Sequence, residues 1–199
     1  MRVRTEDLGF KEIEHKFVLD AAFDLQRFRE ALTTLGPVRT GAFHAHDCYY
    51  LIDGGIERRF VIRHRFDAEL HHLTIKSIET DTEVRDEINL DLGHHAGDQA
   101  ALVDAFMTRM GVQWSGTLHK DVEVWYFPDC EVVYYVASTD SRTVRCVEFE
   151  ATRRDSLADA LEIVEKFERA TGCDGLIRSR LSLPQLLFPE LSEKLAGRA

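Results

Sequence analysis

The chain has 199 residues, 44% of them hydrophobic and 30% charged, which suits one domain over 1–199 and lies outside the disordered class. A net charge of -10 speaks against a nucleic-acid surface, which needs a broad basic patch, and no apolar run nears the ~20 residues that cross a bilayer. With no signal-peptide core at the N-terminus, the expected location is cytoplasmic, without membrane or nucleic acid as partner; the dispersed cysteines Cys48, Cys130, Cys146 and Cys173 suggest neither a zinc site nor disulfides.

Alternating and β-branched residues predict a first strand over 12–19. A helix follows at 24–35, with Leu25, Phe28, Leu32 and Leu35 on one face and Gly36-Pro37 as its stop. Strands are expected at 48–53 and 57–65, joined by a tight turn at Gly54-Gly55, then at 73–78 and 82–90. A second helix spans 98–110, its stripe made of Leu102, Val103, Phe106 and Met110 and its end marked by Gly111. Strands at 120–127, 131–137 and 143–152 bring the count to about eight, spaced for antiparallel hairpins. Ser156 and Asp159 form a capping-box pattern opening a third helix that reaches about 170, and a short helix follows Pro184.

Alternate residues of a strand share a face, so Glu12, Glu14 and Lys16 form one row and Ile13, His15 and Phe17 the other. The same sorting groups Arg59, Val61, Arg63 and Arg65, then Thr74 and Lys76, then Arg85 and Glu87, then Glu148 and Glu150. An antiparallel sheet with one wet face is one reading of this alternation. Yet the charges are sorted by strand into carboxylate pairs and basic clusters, and like charges two residues apart repel unless opposite charge lies between them. The other reading closes the sheet into a barrel with a charged interior, where paired carboxylates hold Mg²⁺ or Mn²⁺ and the bases meet phosphate oxygens.

Glu12-Ile13-Glu14-His15-Lys16 resembles the E-x-E-x-K signature of the CYTH domain, within the triphosphate tunnel metalloenzymes. Asp47-Cys48-Tyr49-Tyr50, Phe60 to Arg65, Leu73 to Lys76, Arg85 to Ile88 and Val147 to Glu150 resemble the later strands of that family in order, and the similarity spans about 11–187, the implied core of the domain. The resemblance implies an α+β fold: an eight-stranded antiparallel β-barrel with helices packed on the outside. It also implies an activity among triphosphatase and adenylyl cyclase, on a small-molecule triphosphate such as inorganic triphosphate, thiamine triphosphate or a nucleoside triphosphate. Glu12, Glu14 and Lys16 fall in the implied catalytic set. Glu12, Glu14, Glu87, Glu148 and Glu150 are the implied holders of Mg²⁺ or Mn²⁺. Lys16, Arg63, Arg65, Lys76, Lys120, Arg178 and Arg180 are the implied triphosphate contacts.

Three departures from the family pattern stand out. Val122 occupies the arginine position of the K-x-R run that begins at Lys120; the acidic residue expected ahead of the paired glutamates has no clean counterpart in 131–138; and Arg178-Ser179-Arg180 lacks the family's tyrosine. The expected function is a metal-dependent triphosphatase, with an adenylyl cyclase second because no residue set is assigned to seating a purine; the Val122 and 131–138 departures lend some support to a third reading, a module that holds a triphosphate without cleaving it. The paired histidines His44/His46, His71/His72 and His94/His95 are expected to be solvated or hydrogen-bonded, and Tyr49, Tyr50, Trp125 and Tyr135 to be packing residues.

Overall fold

In the computed structural model, which describes residues 11–78, 84–153 and 155–196, the strands wrap into one closed antiparallel barrel. The first half of the chain gives β1 (Lys11–Val18), α1 (Leu25–Thr34), β2 (Arg39–Ile52), α2 (Asp53–Arg58), β3 (Phe60–Phe66), β4 (His71–Ser77), β5 (Val84–Asp91) and α3 (Ala100–Arg109). The second half gives β6 (Val112–Tyr126), β7 (Cys130–Ser138), β8 (Thr143–Ala151), α4 (Leu157–Thr171), β9 (Arg178–Ser179), α5 (Leu183–Leu187) and α6 (Pro189–Ala196). The strand order is β5-β4-β3-β2-β6-β7-β8-β1, and pairing of β5 with β1 closes the ring. The short β9 adds to β1 at Lys16 and Phe17. No helix among the described residues is long and apolar enough to cross a membrane.

Closure gives every barrel strand an inner and an outer face, and the period-2 pattern decides which side chains go where. On β1, Glu14 and Lys16 point inward, while Ile13 and Phe17 join a core made with α1 and α4, where Phe28 and Trp125 meet edge to face at 6.0 Å. Asp24 caps α1 by accepting from the Arg27 N–H at 3.0 Å, and Ser156 caps α4 by accepting from the Asp159 N–H at 3.1 Å. At one end of the barrel, Leu183, Leu187, Phe188, Leu191 and Leu195 of the C-terminal helices pack on Leu51, Trp114, Leu118, Tyr135 and Cys146. That end of the interior is therefore closed by an apolar plug.

Four expectations are corrected by the structure. Strands β2 and β6 are much longer than the sequence predicts, and they pair continuously from Arg39↔Tyr126 to Tyr50↔Ser115. Their extra length escapes a hydrophobic reading because the outer side chains there (Thr40, His44 and His46; Ser115, Thr117, His119 and Asp121) face solvent. Gly54-Gly55 lies in the helical turn α2 rather than a two-residue hairpin; a Cβ at Gly55 would stand 2.5 Å from the Phe60 carbonyl oxygen, so this close approach requires glycine. Helix α3 is rotated from its predicted stripe. Val103 and Met107 are buried over Tyr50, Ile52 and Ile62, whereas Leu102, Phe106 and Met110 are exposed, because Asp104 anchors the helix to the Tyr50 hydroxyl at 2.5 Å. Finally, the outer apolar face is not covered throughout: Ile75, Ile88 and Leu90 of β4 and β5 are exposed.

Candidate functional site

The inward faces of the barrel strands meet around one cavity of ≈ 280 Å³. Strand β1 contributes Glu12, Glu14 and Lys16, β3 Arg63 and Arg65, β4 Lys76, β5 Arg85 and Glu87, β6 Lys120, and β8 Glu148 and Glu150. The register sets these groups against each other: Lys16 lies opposite Glu148, Glu14 opposite Glu150, and Glu12 opposite Arg85. Each carboxylate predicted on alternation alone thus faces the same space as the predicted bases.

The charges form three linked groups. The Lys16 ammonium lies 3.0 Å from both Glu14 and Glu148, and Arg85 donates to Glu14 at 2.5 Å. Burial pushes the Glu14 carboxyl up, but Lys16 and Arg85 outweigh it and hold the group at about 2. The second group centres on Lys76, 3.0 Å from Glu12 and 2.7 Å from Glu87. One ammonium cannot fully compensate two buried carboxylates. Despite its burial, Glu87 stays below the usual range because Lys76 and Arg63 both serve it, while burial drives Glu12 up to about 7. In the third group, Arg65 donates two parallel bonds of 2.7 Å to Asp47, and Lys120 lies 3.2 Å from the same carboxylate. Burial and the neighbouring Arg65 bring Lys120 down to about 8.

Five contributors were not assigned a role from the sequence. Asp47 is fully buried and anchors Arg65 and Lys120; its position beside Tyr49 in the resembling strand was the available signal. Arg85 shares its predicted face with Glu87, so alternation alone placed it inward. Glu131 lines the cavity directly opposite Glu150, supplying on β7 the acid for which 131–138 offered no clean counterpart. Tyr135 was expected to be packing, yet its hydroxyl donates to Glu148 at 2.7 Å, and Tyr49 also lines the cavity. Tyr50 and Trp125 do pack outside the barrel, as expected. His71 is buried and hydrogen-bonded, with its Nε2 at 3.2 Å from that of His64.

The basic pair expected near the C-terminus is not brought into the cavity wall. Arg178 aligns with Phe17 on the outer side of β1 and donates to Glu168 of α4 at 2.9 Å; Glu168 also contacts the buried His15. Arg180 meets the site through its backbone oxygen, which accepts from Arg85 at 3.2 Å. The cause is β9, whose pairing with β1 turns Arg178 toward the helix layer.

Oxygen donors in the wall fit a hard divalent cation in kind. Glu12 Oε2 is buried without a hydrogen-bond donor, and Glu150 is pushed well above the usual carboxylate range by burial and by Glu12, Glu14 and Glu131. Such crowding of acids is relieved by a cation. Among the described residues no three acidic, histidine or cysteine side chains already stand as a ligand cluster, so Lys76 must share Glu12 for a cation to be held there.

No family model and no curated protein matches the chain. Solved structures do. The PH1012 protein of Pyrococcus horikoshii OT3 superposes with a TM-score of 0.67 at 15% identity, covering 88% of this chain and 99% of that one. A candidate adenylate cyclase of Bacillus halodurans gives 0.59 at 15% identity, covering 90% and 99%. HpAC1 of Hippeastrum, a candidate adenylyl cyclase described as having a dominant triphosphatase activity, gives 0.53 at 14% identity, covering 94% and 97%. The barrel order, its inward-facing charges and these superpositions together give the chain the CYTH-type triphosphate tunnel fold.

Proposed function

We propose that the protein is a triphosphatase that uses Mg²⁺ or Mn²⁺ and binds the triphosphate of a small molecule inside the barrel. The observation that carries this reading is the charge balance of the cavity wall. Among the described residues, seven glutamates line it against six lysines and arginines. A bare triphosphate would meet a wall with no excess of positive charge to neutralise it, so divalent cations would accompany it. Glu12, Glu14, Glu150 and Glu131 are the carboxylates that would hold them, with Glu87 and Glu148 beside them.

Lys16, Arg63, Lys76 and Arg85, interleaved with these carboxylates, then act as phosphate donors. Each is pre-positioned by a carboxylate, which lowers the cost of ordering long side chains when the ligand arrives. Phosphoryl transfer asks the protein chiefly for position and charge stabilisation, and these buried, paired donors supply both. A bound divalent cation would add neutralisation of phosphate charge and a water of lowered pKa. The apolar plug of α5 and α6 limits water entry from one end. Neighbours described as a candidate adenylate cyclase and as having triphosphatase activity support a phosphate-directed chemistry. Val122 supports another reading, a binder without turnover, because it removes a cation from the wall.

The test is incubation of the protein with inorganic triphosphate, thiamine triphosphate and ATP, with Mg²⁺, with Mn²⁺ and with a chelator. Cation-dependent release of inorganic phosphate is expected. Cyclic nucleotide plus pyrophosphate would instead establish the cyclase, and tight cation-dependent binding without any product would establish the binder.

A further inference from the structure

The cavity wall is not charged all round. Phe43 on β2, Val122 and Val124 on β6, and Val133 on β7 line it together with the acids and bases. They are contiguous: Phe43 lies opposite Val122, and Val124 opposite Val133. This apolar strip runs beside the charged wall, since Val133 is paired in turn with Glu148. Its neighbour on β2 is Gly41, where a Cβ would come within 3.2 Å of Val124 Cγ1, so the strand offers no polar side chain at that level either. Lys120 is the base on this side, and Asp47 holds it at 3.2 Å.

A phosphate group laid on such a strip gives up water and gains no hydrogen bond, which is unfavourable. An apolar group laid on it leaves water at a gain. Val122 and Val124 are buried, and Phe43 and Val133, packed on the same cluster as the plug helices, are only half-buried, so the strip meets the cavity chiefly through Phe43 and Val133. We infer that the strip of Phe43, Val122, Val124 and Val133 receives the non-phosphate part of an organic triphosphate, so that the protein selects an apolar-substituted triphosphate over a bare one. This rests on the triphosphate reading above and specifies its substrate class.

Methyl and phenyl triphosphate carry the same charge and differ in apolar size, which makes them the probes. Their β,γ-methylene analogues resist hydrolysis, so binding is measured by calorimetry with Mg²⁺ present, while phosphate release is followed separately on the parent compounds and on inorganic triphosphate. The phenyl compound is expected to bind on the order of tenfold more tightly than the methyl compound. Val122→Thr and Val133→Thr, which keep side-chain volume while adding a hydroxyl, are expected to shrink that ratio several-fold. Circular dichroism of each variant checks that the barrel is intact. Equal binding of the two probes to the unmodified protein, or binding of neither, overturns the inference. A phenyl preference without phosphate release keeps the strip and removes the hydrolase reading. Release of phosphate from inorganic triphosphate with no phenyl preference keeps the hydrolase and removes the strip.

Discussion

Glu14 and Glu150 stand directly opposite each other on β1 and β8, yet their surroundings drive their ionisation in opposite directions. Both are buried, which alone favours the neutral form of each. Lys16 and Arg85 overcome this at Glu14 and bring it to about 2. Glu150 meets Glu12, Glu14 and Glu131 instead, and goes well above the ordinary range. The pair therefore divides into a fixed anion and a reserve ligand that is charged at a cost.

That reserve sets a pH dependence. Glu12, at about 7, and Glu150 are both raised above the ordinary 4.5, so in the window from 4.5 to about 7 the folded protein retains protons that the unfolded chain has released. Their contribution is complete below that window and is lost as the pH rises through it. The melting temperature without divalent cation is expected to fall between about pH 5 and about pH 8, and added Mg²⁺ or Mn²⁺ to restore part of it with release of protons. A melting temperature that climbs over this range with no cation effect would contradict the assignment.

Glu148 joins Lys16 and Tyr135, at 3.0 and 2.7 Å. Glu148→Gln preserves its size and removes its charge, while Glu14 continues to compensate Lys16. Phosphate release is expected to fall on the order of 100-fold with the barrel retained, since one preorganised electrostatic group is commonly worth that much. Near-normal turnover in this variant would remove Glu148 from the machinery.

Asp47 serves a structural purpose beneath the site. It is fully buried and compensates both Arg65 and Lys120. Asp47→Ala leaves two buried cations without their carboxylate, so the expected loss is about 3–5 kcal/mol in a urea titration. Asp47→Asn retains hydrogen-bond acceptors and should cost less. Equal losses in the two variants would show that the charge, which both remove, is what Asp47 supplies; negligible losses in both would show that charge compensation is not its role.

Lys120, brought down to about 8, predicts an alkaline limit on substrate capture. As the pH rises through that value the free protein loses a cation from the cavity wall, and kcat/KM for a triphosphate is expected to decline. Lys120→Arg keeps its charge throughout and should flatten the alkaline limb. An unchanged profile in that variant would assign the limb to another group.

Much of this was legible in particular residues. Period-2 alternation placed Glu12, Glu14, Lys16, Arg63, Arg65, Lys76, Glu87, Glu148 and Glu150 on inner faces, because only one register keeps Ile13, Phe17 and Phe149 in the apolar core. Alternation does not say which carboxylate meets which base. Glu131 became a site residue only through its pairing with Glu150, and Arg178 left the site only through the pairing of β9 with β1. Helix α3 shows the same limit: its heptad-like stripe allowed several faces, and the Asp104 to Tyr50 bond selected one.

The sequence by itself determined most of the strands and the sorting of charge onto one face of each. Side-chain direction along a strand is a local property, so it survives without knowledge of the fold. The tertiary structure decided what each charge costs. Glu14 and Glu150 are the same residue type in directly paired positions, yet Lys16 along β1 and Arg85, brought over by the pairing of β5 with β1, make one a permanent anion and leave the other crowded by acids.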